Sequence, residues 1–213
     1  MSELKTWHNE TIGAKTVKAL EKNNFKATYV ANRKEAAEKI LELIPVEASI
    51  GIGGSVTINE IGIVDMLNER GNVVYNHGKP GLSREESLDI RRQQLNSDVF
   101  LTGSNAITID GELINVDATG NRVAAMIFGP KKVIVIAGVN KIVPHLLAGI
   151  ERVKLVASPM NNKRLKFQNP CVISGNCEDC HGATRICNVT TIMHKKPLAT
   201  DVHVFIIGEE LGL

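Results

Sequence analysis

The chain has 213 residues, 43% of them hydrophobic, with 25 basic and 23 acidic side chains and a formal net charge of +2. That length suits one domain with a sizeable core and no need of disulfide staples, and the near-neutral balance gives no expectation of nucleic acid or of an anionic membrane surface as partner. No apolar run reaches the roughly 18 residues that span a bilayer, and the opening MSELKTWHNE lacks the apolar stretch of a secretory leader, so the expected compartment is the cytoplasm.

Glu3 to Lys22 is polar with apolar positions at Leu4, Trp7, Val17 and Leu20, and reads as a helix stopped by Asn23-Asn24. Phe25, Ala27 and Tyr29 alternate as in a short strand. Asn32 and Glu35 have capping-box spacing for a helix carrying Ala36, Ile40, Leu41 and Ile44, closed by Pro45. Residues 1–45 are expected to form a helical appendage. From Ala48 the pattern changes. SIGIGGS is a strand entering a glycine turn, Val56 to Glu69 reads as a helix ended by Gly71, and NVVYNH is a second strand. Ser83 and Glu86 can box a helix through Leu95, DVFLTG is a third strand, and ELINV a short strand. Asn121 to Phe128 is a small helix. KVIVIAG is continuous and β-branched, as expected of a strand buried on both faces. Pro144 opens a helix carrying Leu147, Ile150 and Val153, and KLVAS and VHVFIIG read as two last strands. This alternation predicts an α/β fold, a mostly parallel doubly wound sheet in a single domain over 1–213.

Two stretches carry candidate binding residues. GIGGSVTINEIG, residues 51 to 62, follows an apolar strand and opens a helix. Gly51, Gly53 and Gly54 would let the backbone approach an anion, and Ser55 and Thr57 would add hydroxyl donors. The spacing is neither the dinucleotide fingerprint nor a Walker loop, and a tight turn with a serine cap is the plain alternative. TGSNAITIDGELINVDATGNR, residues 102 to 122, follows a strand's carboxyl end, where open α/β sheets bind ligands. It crowds together Ser104, Asn105, Thr108, Asp110, Asn115, Asp117, Asn121 and Arg122. Turn capping is the plainer account of any single Asn, and it is the cluster as a whole that points to a ligand. The planar fork of Arg122 matches a carboxylate or phosphate, and Lys141 is a second cation at a strand end. The expected ligand is a small anionic metabolite.

GIGGSVTINEIG, FLTGSNAITIDGELINVDATGNRVAAMIFGPKKVIVIAGVNKIVP and VHVFIIGEELGL resemble the lactate-utilisation (LUD-domain) family over nearly all of the chain after residue 45. That family is similar to the ribose-phosphate isomerase and CoA transferase-like proteins. The resemblance implies a sheet flanked by helices with a pocket at the strand ends, and GIGGSVT in the place of the isomerases' phosphate-binding turn. TGSNAITIDGELIN resembles a stretch of methylthioribose-phosphate isomerase, with Asn105 where that enzyme has a catalytic aspartate. An amide does not take a proton as a carboxylate does. The transferases' nucleophilic glutamate finds no match here; Glu60 is available, but its place on a helix points to a structural role, so no catalytic residue is assigned. The resemblance also implies association with oxidation of lactate or a similar organic acid, alongside iron–sulfur partners.

All four cysteines fall in CVISGNCEDCHGATRIC, residues 171 to 187. In a reducing cytosol clustered thiols point to metal rather than to disulfides. Cys171, Cys177, Cys180 and Cys187 can close a tetrahedral zinc site or hold one iron–sulfur cluster, with Gly175 and Gly182 turning the loop. A single C-x2-C pair between longer arms suits the wider corners of a [4Fe–4S] cluster, with zinc as the alternative. A four-cysteine C-terminal segment also recurs in part of the LUD family. Three functions follow: a redox accessory of organic-acid oxidation with a redox protein partner, an enzyme of the isomerase/transferase type, or a ligand-binding module with a structural zinc. A homo-oligomer is compatible with all three.

Overall fold

A computed structural model describes residues 2–213. Helix α1 (Glu3–Lys22) starts where the Ser2 hydroxyl accepts from the Lys5 amide, and ends at Asn23 and Asn24, the latter at φ 67°. Strand β1 (Lys26–Val30) leads to α2 (Arg33–Glu42), capped by Asn32 Oδ1 accepting from the Glu35 amide at 3.0 Å. The Glu35 carboxylate reaches back one residue farther than a capping box requires, to the Ala31 amide. Then come β2 (Ile50–Ile52) and α3 (Val56–Glu60). Gly62, left-handed at φ 71°, divides the expected single helix, so α4 (Ile63–Glu69) is separate. After β3 (Val74–Asn76), α5 (Arg84–Leu95) opens with the complete Ser83–Glu86 capping box. The chain continues through β4 (Val99–Gly103), β5 (Ala106–Thr108), β6 (Leu113–Asp117), α6 (Asn121–Ile127), β7 (Lys132–Gly138) and β8 (Ile142–Val143). Helix α7 (Leu146–Arg152) passes through a π-turn (Val153–Ala157) into α8 (Ser158–Arg164). Helix α9 (Cys171–Ser174) and strands β9 (Val189–Met193) and β10 (Asp201–Ile207) complete it.

Six strands form one parallel sheet in the order β1-β10-β7-β4-β2-β3. Strand β7 lies inside it, and the two-residue period divides its side chains between two cores. Ile134 and Ile136 join Ile40 of α2, Ile58 of α3 and Leu67 of α4. Val133, Val135 and Ala137 join Leu20 of α1, Met126 of α6 and Leu113 of β6. All five β7 side chains are fully buried, as a strand covered on both faces requires. A second sheet, β8-β5-β6-β9, packs beside the second core; β5 is parallel to β8 and antiparallel to β6, and β6 is antiparallel to β9. Helix α7 covers its other face around Ile114 and Val143.

Two expectations change. KLVAS is not a strand. Lys154–Ser158 lies in the π-turn and the start of α8, with Val153 and Ala157 buried and Leu155 and Val156 exposed. Burial four residues apart is helical spacing, which a five-residue apolar run does not reveal. The cysteine segment therefore follows a helix. The N-terminal segment is also more than an appendage. Strand β1 pairs with β10 in register from Lys26 opposite His203 to Val30 opposite Ile207, so the first and last strands are neighbours in the main sheet.

Candidate functional site

A cavity of about 220 Å³ opens at the carboxyl ends of the parallel strands. The turn after β2 contributes Gly54, Ser55 and Val56, the end of β3 His77, and the end of β4 Gly103, Ser104 and Asn105. The glycines play distinct parts. A Cβ on Gly51 would stand 2.8 Å from Phe100 and from the Ser97 hydroxyl, so this glycine serves packing. One on Gly53 would stand 3.0 Å from Phe100 and 3.2 Å from Arg122 Cγ; the arginine stem crosses here. The Gly53 amide already donates to Leu101 O at 2.8 Å. Gly54 faces His77, and the Ser55 hydroxyl lies against Gly103. Thr57 is buried behind the turn, its hydroxyl accepting from Lys141 Nζ at 2.9 Å.

Arg122 holds the strand ends together. One terminal nitrogen donates to Gly103 O at 3.2 Å and Asn115 Oδ1 at 2.7 Å. The other donates to Asn105 Oδ1 at 3.1 Å and Val116 O at 2.9 Å. Its Nε is 3.6 Å from Asp117 Oδ2. The guanidinium lines the cavity, yet most of its donors are committed to the protein. Asn105 Oδ1 also accepts from the Val116 amide at 2.8 Å, and Asn115 Oδ1 from the Asn105 amide at 3.3 Å. Asp117 Oδ1 accepts from the Thr119 and Gly120 amides, shaping the turn into α6, while its buried Oδ2 has no hydrogen bond. Asp117 is the sole acidic side chain among the described residues lining the cavity.

Four further basic groups face it. His77 Nδ1 lies 3.0 Å from Gln94 Nε2, and burial, followed by the charge of Arg91, holds its pKa below the usual imidazole value. Arg91 of α5 donates to the Ser87 hydroxyl, and Arg164 of α8 is oriented by two bonds to Asn161 Oδ1 at 3.0 and 2.7 Å. Lys141, 4% exposed, is brought down to about 7 by burial and then by Arg152 and Arg122. Arg152 itself donates to Asn105 O at 2.6 Å and Asn140 O at 3.1 Å. Three arginines, Arg91, Arg122 and Arg164, facing one carboxylate give a field that draws anions.

Of the residues singled out in the sequence, Gly54, Ser55, Ser104, Asn105, Asp117, Asn121, Arg122 and Lys141 line the cavity. Gly51, Gly53, Thr57 and Asn115 support it from behind. Asp110 lies elsewhere, in the β5–β6 turn that packs on α1, where its carbonyl accepts from Asn23. His77, Arg91 and Arg164 escaped the sequence reading because each is an isolated charge on a different element. Only His77, closing the strand NVVYNH, carried a positional signal.

The cysteine segment borders the same cavity. Cys171, at the start of α9, is buried, and Cys177, Cys180 and Cys187 are half-buried; all four are free thiols. Burial raises the Cys171 pKa, and the charges of Cys180, Cys187 and Cys177 raise it further, so the four thiols share one field. Burial also raises that of Cys187, against the pull of Ser158, whose Oγ is 3.2 Å from Cys187 Sγ. Arg185 fastens the loop, bonding Asp179, Cys180 O and Cys187 O. The donor set fits an iron–sulfur cluster or zinc. Among the described residues no three Cys, His, Asp or Glu side chains gather around one metal-ion position. Ser158 and Ile186 line the cationic cavity, and Ser158 also lines a second cavity of about 100 Å³ beside Cys177 and Cys187.

A family model described as the LUD domain matches residues 13–207. Among solved structures, the chain is similar to a DUF162 family protein from Deinococcus radiodurans, with a TM-score of 0.53 and 15% identity, over 93% of this chain and 98% of that one. At that identity the likeness shows the fold. No curated protein matches. No helix among the described residues is long and apolar enough to cross a membrane. With the family model spanning almost the whole chain and the sheet order and strand-end cavity in place, the chain belongs to the LUD-domain, or lactate-utilisation, family.

Proposed function

We propose that the protein is a redox accessory of organic-acid oxidation. Its cavity binds a small organic anion, and Cys171, Cys177, Cys180 and Cys187 hold a [4Fe–4S] cluster beside it. The observation that carries this reading is the shared wall: Cys187 Sγ lies 3.2 Å from the Ser158 hydroxyl, and Ser158 lines the cationic cavity. An electron carrier there would lie one side chain from a bound anion. The basic lining favours a carboxylate or phosphate. The volume, about 220 Å³, is below the range of roughly 300–1,000 Å³ usual for drug-sized ligands, and suits a small metabolite.

What favours a cluster over zinc is the spacing, a single C-x2-C pair between longer arms, because zinc requires all four sulfurs at about 2.3 Å from a single centre. A cluster of this type would pass one electron at a time. Oxidation of a 2-hydroxy acid to the 2-oxo acid releases two electrons and two protons, so a redox protein partner would receive two successive transfers. The cavity's one carboxylate is opposed by Arg122 at 3.6 Å, and Asn105 stands in the place of the isomerase's acid, which speaks against a proton-shuttling isomerase.

The test is anaerobic purification with iron, sulfide and zinc analysis, then electron paramagnetic resonance of the dithionite-reduced protein with and without lactate. About four irons per chain and a spectrum altered by lactate are expected. One zinc per chain overturns the cluster. A cluster whose spectrum ignores an anion that calorimetry shows to bind overturns the coupling.

A further inference from the structure

Lys141 is a cavity group that this reading leaves without a task. It stands just beyond β7, inside the main sheet, and lines the cavity while only 4% exposed. Thr57 Oγ1 is its hydrogen-bond partner at 2.9 Å, and among the described residues no carboxylate forms an ion pair with it. The charged groups facing it are Arg152 from α7, Arg122 from α6 and Glu60 from α3. Glu60 is engaged, accepting from the Gly212 amide at 2.7 Å. Burial, and then the charges of the two guanidinium groups, favour the neutral form of this amine and bring its pKa down to about 7. A neutral amine is a nucleophile. Arg91 and Arg164 provide separate cations within the same lining for a carboxylate.

We propose that Lys141 forms an imine with the carbonyl carbon of a 2-oxo acid whose carboxylate is held by the cationic lining. This rests on the reading of the cavity as an organic-anion site and names the substrate class it takes. The neutral Nζ adds to the carbonyl carbon, forming a C–N bond while the C=O π pair moves to oxygen. A proton passes from nitrogen to that oxygen to give the carbinolamine. One proton from solvent then lets the hydroxyl leave as water, and the iminium remains. The step needs no oxidant or reductant. A 2-oxo acid is the product class of 2-hydroxy-acid oxidation, so the site would retain what such an oxidation releases.

The probe is pyruvate, with lactate, which has no carbonyl beside its carboxylate, as control. The full chain is incubated with each, reduced with cyanoborohydride, digested and mapped by mass spectrometry. In parallel, calorimetry measures binding of both acids without reductant. The expected result is a reduced adduct on Lys141 with pyruvate and none with lactate. Its yield should rise about tenfold between pH 6 and pH 8, as the neutral amine does around a pKa of about 7. The trapping is done on the unsubstituted protein, so it does not depend on a variant that folds. Pyruvate binding with no adduct on Lys141, or adducts on exposed lysines alone, overturns the imine and leaves the anion site standing. No binding of either acid overturns both.

Discussion

Replacing Arg122 with Met should unsettle the strand ends more than it disturbs any single contact. The guanidinium donates to four oxygens at 2.7–3.2 Å, on β4, β6 and the turn between β4 and β5. Several of these acceptors keep another donor: Asn105 Oδ1 retains the Val116 amide, Asn115 Oδ1 the Asn105 amide and Gly103 O the Thr102 hydroxyl. Their loss is therefore partial, adding about 1–2 kcal/mol. The larger part comes from Asp117. Its side chain is 9% exposed, Oδ2 has no hydrogen bond, and Arg122 Nε at 3.6 Å is its partner at ion-pair distance, with Arg91 and His77 acting on it from farther away. Removing one partner of a buried pair costs about 3–5 kcal/mol. For a chain of this size each kcal/mol shifts Tm by about 2–4 °C, so a fall of about 10–20 °C is expected. Urea and thermal unfolding followed by circular dichroism measure it. Asp117→Asn alone and combined with Arg122→Met closes the cycle, and the double variant should lose less than the two singles together. A loss below about 1 kcal/mol in Arg122→Met would refute the reasoning, and would mean that this guanidinium is free to meet a ligand.

Arg91→Gln and Arg164→Gln should each remove about 1.5–3 kcal/mol of charge-assisted binding, seen by calorimetry as a ten- to hundredfold weaker lactate or pyruvate affinity; an unchanged affinity in both would leave the cavity without an anion site. Lys141→Met should be more stable than the parent at pH 7. The folded pKa of about 7 lies below the ordinary 10.5, so between these values the unfolded chain binds more protons and stability rises with pH. The variant should lose that slope in urea titrations from pH 7 to 10, and an unchanged slope refutes the burial argument. Gly111→Ala should be strongly destabilising. Gly111 sits at φ 81°, and a Cβ there would stand 2.6 Å from the Ala19 and Leu20 backbone. The left-handed strain costs about 1–2 kcal/mol and the crowding about 1–3 kcal/mol, and a urea midpoint within error of the parent would contradict it.

Much of the local architecture was legible from local signals. The Ser83–Glu86 box lies where the spacing put it, and Asn32 caps α2, because these bonds join residues three apart. KVIVIAG reads as a strand buried on both faces because, after Lys132, nothing in it is polar enough to face water. The glycine turn and the polar stretch after β4 marked the end of the sheet where the cavity lies. The rest depended on contacts between distant residues. KLVAS has strand composition, yet α7 and α8 carry it as a π-turn because Val153 and Ala157 are the positions that meet the core. Strand β1 found its partner in β10, at the other end of the chain. His77, Arg91 and Arg164 are ordinary surface-type residues in sequence; only the sheet order and the placement of α5 and α8 turn all three toward one cavity. Arg122 was identified as the anion's partner from its chemistry, and the folded chain commits most of its donors to strand ends that no local window joins. Residue type and spacing determine which groups are available. Packing of distant elements determines which of them still have a free donor or a neutral amine when a ligand arrives.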